Sequence, residues 1–125
     1  MCVEMISIDV TTVGGDGSAT ATVETPTPIY GELLAVHVDY HASAPGTTTV
    51  DINGVTTGQK IMDLAAANTD VIHHIRRIGS TNAGVALTAG DNINVPFALA
   101  EKVNCVVALS DALTKCVSVH LLVRM

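Results

Sequence analysis

Thirteen residues, IYGELLAVHVDYH at 29–41, alternate with a period of two: Leu34, Val36, Val38 and Tyr40 fall on one side, His37, Asp39 and His41 on the other. Only an extended strand sorts side chains this way, and the split implies one buried face and one face left for water or an interface. A sheet with one apolar face must bury it against a second layer. The remaining sequence supplies material for that layer. Its 17 valines and 15 threonines are β-branched, stiff at χ1 and suited to a pleated surface, whereas the aromatics are only Tyr30, Tyr40 and Phe97.

The same alternation recurs along the chain. Residues 3–13 put Ile6, Ile8 and Val10 on one face, and residues 18–24 put Ala19, Ala21 and Val23 inward. Gly14-Gly15-Asp16-Gly17 between them predicts a first hairpin. Pro26 and Pro28 mark a crossing or an edge. A turn at 43–46 precedes a short strand at 47–53, and Asn53-Gly54 reads as a type I′ hairpin turn. Further strands are expected at about 59–64, at 71–78 (VIHHIRRI), at Val85–Thr88 and at 93–100, the last interrupted by Pro96. Residues 102–110 and 115–123 flank Asp111-Ala112-Leu113-Thr114 as a closing hairpin. About eight strands at this spacing predict one all-β domain over residues 1–125, an antiparallel β-sandwich of jelly-roll type.

Bulk properties narrow the function classes. Twelve carboxylates against six Lys and Arg give a net charge of −6, which disfavours nucleic acid as a partner. No apolar run approaches the ~20 residues of a membrane span, and MCVEMISIDV lacks the pattern of a secretory signal. Cys2, Cys105 and Cys116 make an odd set with neither metal-ligand nor framework spacing, so reduced thiols and cytosolic synthesis are the simpler reading. High hydropathy in so small a chain favours an oligomer that covers apolar surface with copies of itself.

Five histidines raise a metal hypothesis. His37 and His41 share a strand face but stand roughly 13 Å apart along it, and adjacent His73 and His74 point to opposite faces. A zinc set of His41, one of the 73–74 pair and His120 is the less favoured arrangement, and no metal or cofactor is expected. Neither G-x-S-x-G nor a local Cys-His signature is present, and so few aromatics do not predict a sugar-binding cleft. HHIRR at 73–77 is the one basic cluster.

Residues 11–52, TTVGGDGSATATVETPTPIYGELLAVHVDYHASAPGTTTVDI, resemble the front half of small virion proteins of tailed bacteriophages. In those, a Gly/Ser-Ala-Thr-Ala hairpin leads to a segment that reads here Gly31, Leu33, Ala35, Val36, Val38, Asp39, Tyr40, Ala42, Ser43, Ala44, Pro45, Thr47 and Thr48. Residues 108–123 are similar to their last hairpin. The resemblance implies a capsid decoration or cement protein: a β-sandwich subunit, commonly trimeric, seated on the major capsid protein at the virion surface after synthesis in the host cytoplasm. It carries no catalytic motif, and HHIRR and the cysteines lie outside it. The expected interface is His37, Asp39 and His41 together with His73, His74, Arg76 and Arg77, with loops 14–17, 43–47 and 79–84 toward the capsid. A neck or tail component, a carbohydrate-binding module using Tyr30 or Tyr40, and a small metal-dependent enzyme are the competing readings.

Overall fold

The alternating segments become strands because their inward residues can then share one core, yet few consecutive strands lie side by side. The computed structural model describes residues 2–78, 80, 83, 84, 86 and 94–125. Its strands are β1 (Val3–Val10), β2 (Ala19–Glu24), β3 (Ile29–Tyr40), β4 (Thr49–Gly54), β5 (Lys60–Leu64), β6 (Val71–His73), β7 (Arg77–Ile78), β8 (Asn94–Val95), β9 (Phe97–Glu101), β10 (Val103–Ser110) and β11 (Val117–Arg124). No helix occurs among the described residues. Of the expected strand at Val85–Thr88, all but Ala86 lies outside them, as does half of loop 79–84.

The pairing is nested. β1 pairs with β11, β2 with β10, β3 with β9 and β4 with β5, all antiparallel. One sheet runs β1-β11-β3, with β6 and β9 sharing the far edge of β3; the other runs β2-β10-β4-β5. This is a jelly-roll sandwich, as the strand spacing predicted. β7 and β8 form a separate two-stranded ribbon.

Of the three expected hairpins, only β4–β5 pairs along its strands. β1 and β2 stand in opposite sheets, as do β10 and β11, so their connections, residues 11–18 and 111–116, arch over the sandwich edge. The expected Gly14–Gly17 turn does form, closed by the antiparallel Val13–Thr20 bridge, but it does not continue into a β1–β2 ladder. The two arches satisfy each other's backbone groups. Thr12 N–H donates to Leu113 O (3.2 Å), Thr12 Oγ1 donates to Asp111 O (2.6 Å), and Gly17 N–H donates to the Asp111 carboxylate (3.0 Å). At the other end, the Pro26–Pro28 segment is a crossing between sheets. Thr25 there exchanges hydrogen bonds with Val103, where the chain turns from β9 into β10. Among strands of the two main sheets, only β4 and β5 are both consecutive and paired.

Three local expectations are also corrected. Leu34 was expected inward, but a bulge opposite Leu122–Val123 shifts the phase of β3, so Leu33 is buried completely and Leu34 only partly. The 71–78 strand breaks at 74–76, because β9 already occupies β3 from Ile29 to Leu33 and β6 pairs only with Val36–Val38. Asn53-Gly54 is not the turn: the β4–β5 connection is 55–59, with Gly58 at φ 70°.

Gly54 is glycine because of what approaches it. The Glu101 carboxylate lies over its backbone, where an added Cβ would stand 2.5 Å from Oε1. Glu101 is a buried carboxylate that gathers the β4–β5 loop. It accepts from Thr56 N–H (2.7 Å), Thr57 N–H (2.9 Å), Thr57 Oγ1 (2.7 Å) and Gln59 Nε2 (3.2 Å). The Thr57 amide above all, against the opposing effect of burial, holds the Glu101 carboxyl below the ordinary carboxylate value.

The core between the sheets is built from medium-sized aliphatics. Val117, Val119, Leu121 and Val123 of β11 face Val50, Ile52, Val103 and Val107 of the opposite sheet, all fully buried. Branched side chains of similar size fill a layer about 10 Å thick without large rings.

Two substitutions test the Glu101 latch. Glu101→Gln should cost about 1–3 kcal/mol at neutral pH in urea unfolding, through loss of charge-assisted hydrogen bonds. The ionised form is the one stabilised, so its contribution is complete above the ordinary value of 4.5 and fades as pH falls from there through the lower native value. Wild type and Glu101→Gln should therefore converge in stability as pH falls below 4.5 and through the lower native value. Gly54→Ala should destabilise by a similar amount; full stability in that variant would show that the carboxylate is not held over Gly54.

Candidate functional site

The outer face of the β1-β11-β3 sheet carries a polar cluster drawn from three strands. Register alone assembles it: His37 of β3 is directly opposite His120 of β11, and His120 is directly opposite Ser7 of β1. Asp39 pairs with Ser118 one rung along, on the same face, and Ser118 Oγ donates to Asp9 Oδ1 at 2.8 Å.

Asp39 stands between the two rings. Its Oδ1 is 3.3 Å from His37 Nε2 and its Oδ2 is 3.2 Å from His120 Nε2. The ring centroids are 5.5 Å apart, tilted by 34°. Behind His120, Nδ1 lies 2.8 Å from Ser7 Oγ. An ionised carboxylate only accepts, so with neutral rings each Nε2 carries its proton toward Asp39, and Ser7 O–H donates to His120 Nδ1. The side chains are half-exposed: 39% for His37, 40% for Asp39 and 21% for His120.

This arrangement can act in two ways. As it stands, Ser7, His120, Asp39 and His37 form a hydrogen-bonded chain that ties three strands across their outer face. The same groups are also metal donors, for one ring nitrogen of each histidine and a carboxylate oxygen lie within 4.8 Å of one another. Two imidazoles and one carboxylate suit borderline divalent ions better than calcium or magnesium. Below the cluster, Glu32 and Arg124 pair across the same two strands.

The structure brings His37 and Asp39 together and scatters the other expected residues. His41 lies beyond the end of β3, where its Nδ1 accepts from Ser43 N–H (3.0 Å) and its own amide donates to Cys116 O (2.8 Å). His73 ends β6 and His74 occupies the break; both are exposed. Arg76 donates to Leu34 O (3.1 Å) and Ile75 O (2.8 Å), covering the residue left over by the β3 bulge. Arg77 lies in β7 and lines an open recess with Gln59, Val95 and Pro96. HHIRR is therefore not one face of one strand.

His120 and Ser7 were missed as companions of His37 and Asp39. They stand 81 residues after Asp39 and 30 before His37, and only the outward phase of KCVSVHLLV hinted that His120 shares a face with polar neighbours. The aromatics are also separated: Tyr30 is 63% exposed, whereas Tyr40 is buried with no partner for its hydroxyl among the described residues. Burial, and to a lesser extent neighbouring Cys105, Asp70 and Cys116, push the Tyr40 phenol up. Tyr40 thus belongs to the core and offers nothing to a glycan.

The cysteines are three free thiols, Cys2 exposed and Cys105 and Cys116 fully buried. Cys105 stands in β10, whereas Cys116 precedes β11 in the opposite sheet and lies 3.2 Å from Ser110 Oγ. Burial pushes the Cys105 thiol up to about 12, so it is no nucleophile at neutral pH. Comparisons with protein-family models, with curated proteins and with solved structures found no match to this chain.

An aromatic disulfide reagent should label one thiol per native chain within minutes and all three in denaturant. Rapid labelling of two thiols without denaturant would show that Cys105 or Cys116 is reached from solution.

Proposed function

We propose that the chain is a structural subunit of a tailed-bacteriophage head. In this reading it is a decoration or cement protein that associates with copies of itself, as a trimer, and binds the outside of the shell. It adds contacts between capsomers where pressure from packaged DNA would part them. Many repeated weak contacts suffice for that work, and no deep pocket is needed.

The observation that carries this reading is the state of β1. It is an edge strand, paired among the described residues with β11 alone, and its outward Val3 and Met5 are 57% and 65% exposed. Met5 is opposite Leu122, and Met125 N–H donates to Cys2 O, so apolar side chains continue around the same corner. A free strand edge beside an apolar patch is a natural meeting surface for another chain. Further support comes from the rigid two-layer frame, and from the location of the virion-like segment 31–48 in central β3 and the arch that follows it. The His37–Asp39–His120 cluster shares the outer face of this sheet and includes two of the seven residues expected at the interface.

Sedimentation at micromolar concentration should report an oligomer, and Met5→Glu should shift it toward the 12.9 kDa monomer with the fold intact by circular dichroism. A wild-type monomer would remove the self-association. Quantitative mass spectrometry of purified particles decides the location: hundreds of copies fit cement, and a handful would assign the chain to the neck or tail instead.

A further inference from the structure

We infer that His37, Asp39 and His120 form a binding site for a divalent transition-metal ion of the zinc class, with one coordination position open to solvent. The inference stands on the geometry of the sheet face and does not depend on the capsid reading.

Spacing is the first support. Ligand atoms about 2.0–2.1 Å from a tetrahedral ion stand about 3.3 Å from one another. His37 Nε2 is 3.3 Å from Asp39 Oδ1 and His120 Nε2 is 3.2 Å from Asp39 Oδ2. One donor atom from each of the three residues lies within 4.8 Å of the other two, so small side-chain rotations bring the donors to the spacing an ion requires. Both rings present Nε2 to the same carboxylate, and Asp39 offers one oxygen to each.

Rigidity is the second. His37 and His120 are directly paired residues on β3 and β11, the two strands of this sheet that are bonded on both sides. Beneath them, the inward neighbours Val36, Val38, Val119 and Leu121 are fully buried, so the backbone under the donors is locked by the core. Sites on such elements hold ligand geometry better than sites on loops.

The third support lies behind the donors. A ligating imidazole keeps its metal-facing nitrogen unprotonated and gives its other N–H to a neighbour. Ser7 Oγ is in place to receive that proton from His120 Nδ1 at 2.8 Å. On uptake of the ion, the hydrogen bonds to Asp39 are replaced by coordination, and the Ser7–His120 bond reverses direction. Each ring stays neutral: exchange with water removes the Nε2 proton and returns one to Nδ1, so no net proton is released.

Three protein donors leave a fourth tetrahedral position. The side chains are 21–40% exposed, so that position faces outward, open to water or to a donor from another molecule.

The test uses the intact chain, stripped with a chelator and then titrated with zinc by calorimetry and with cobalt(II) by visible absorption. The expected result is one ion per chain, a tetrahedral-type cobalt spectrum, and a melting temperature that rises with zinc concentration. His37→Ala and His120→Ala should each weaken binding roughly a hundredfold, and Ser7→Ala about tenfold. Replacing His41, His73 or His74 should change nothing. Imidazole NMR signals of the wild type provide a readout that needs no variant: those of His37 and His120 should move on zinc addition. The inference fails if millimolar zinc is not taken up. It also fails if uptake survives in His120→Ala or disappears only when His73 and His74 are replaced.

Discussion

The register of β11 against β3 fixes the core and the polar cluster at once. β11 is bonded on both edges, to β1 and to β3, and its inward Val117, Val119, Leu121 and Val123 are all fully buried. A slip of one residue would turn those four outward and drive His120 into the core. The cost of exposing four buried aliphatics, of order 1.5–3 kcal/mol each, makes the correct register overwhelmingly favoured. Once it is set, His120 must lie opposite His37 and diagonal to Asp39. The site on the outer face is thus held by hydrophobic burial on the inner one.

The ends of the sandwich solve a different problem. Crossing between sheets leaves arch backbone without ladder partners, and buried peptide groups cannot remain unpaired. Arches 11–18 and 111–116 satisfy each other through Thr12, Asp111 and Leu113. The loop at 55–59 is held by the β9–β10 crossing beside it: Val55 N–H donates to Lys102 O (2.9 Å), and the buried Glu101 carboxylate gathers the amides of Thr56 and Thr57. Gly54 provides the space for it. These polar devices let a chain with few aromatics and no disulfide close a complete jelly roll.

The face carrying the cluster is also the face flanked by the exposed apolar edge of β1. A self-associating shell protein and a metal site with an open position are separate ideas, but they occupy neighbouring ground. An ion at His37, Asp39 and His120 would sit beside the surface proposed to meet other chains.

Much of the local structure was legible because a period of two has one physical meaning. The alternation correctly placed β1, most of β3, β5 and β11, and it put Ile8, Val10, Val36, Val38 and Tyr40 inside. It failed at Leu34, since a bulge shifts phase without any mark in the residue pattern, and at Asn53-Gly54, where glycine serves a close approach rather than a turn. It also could not tell hairpins from arches: glycine-rich connections look alike whether the next strand pairs alongside or crosses to the other sheet. By itself, then, the sequence determined that the chain forms strands with one apolar face each, because side-chain direction is a local property of extended backbone. Which strands became neighbours, and so which histidines met at Asp39, was decided by tertiary structure, because the pairing of β3 with β11 joins residues some eighty to ninety positions apart.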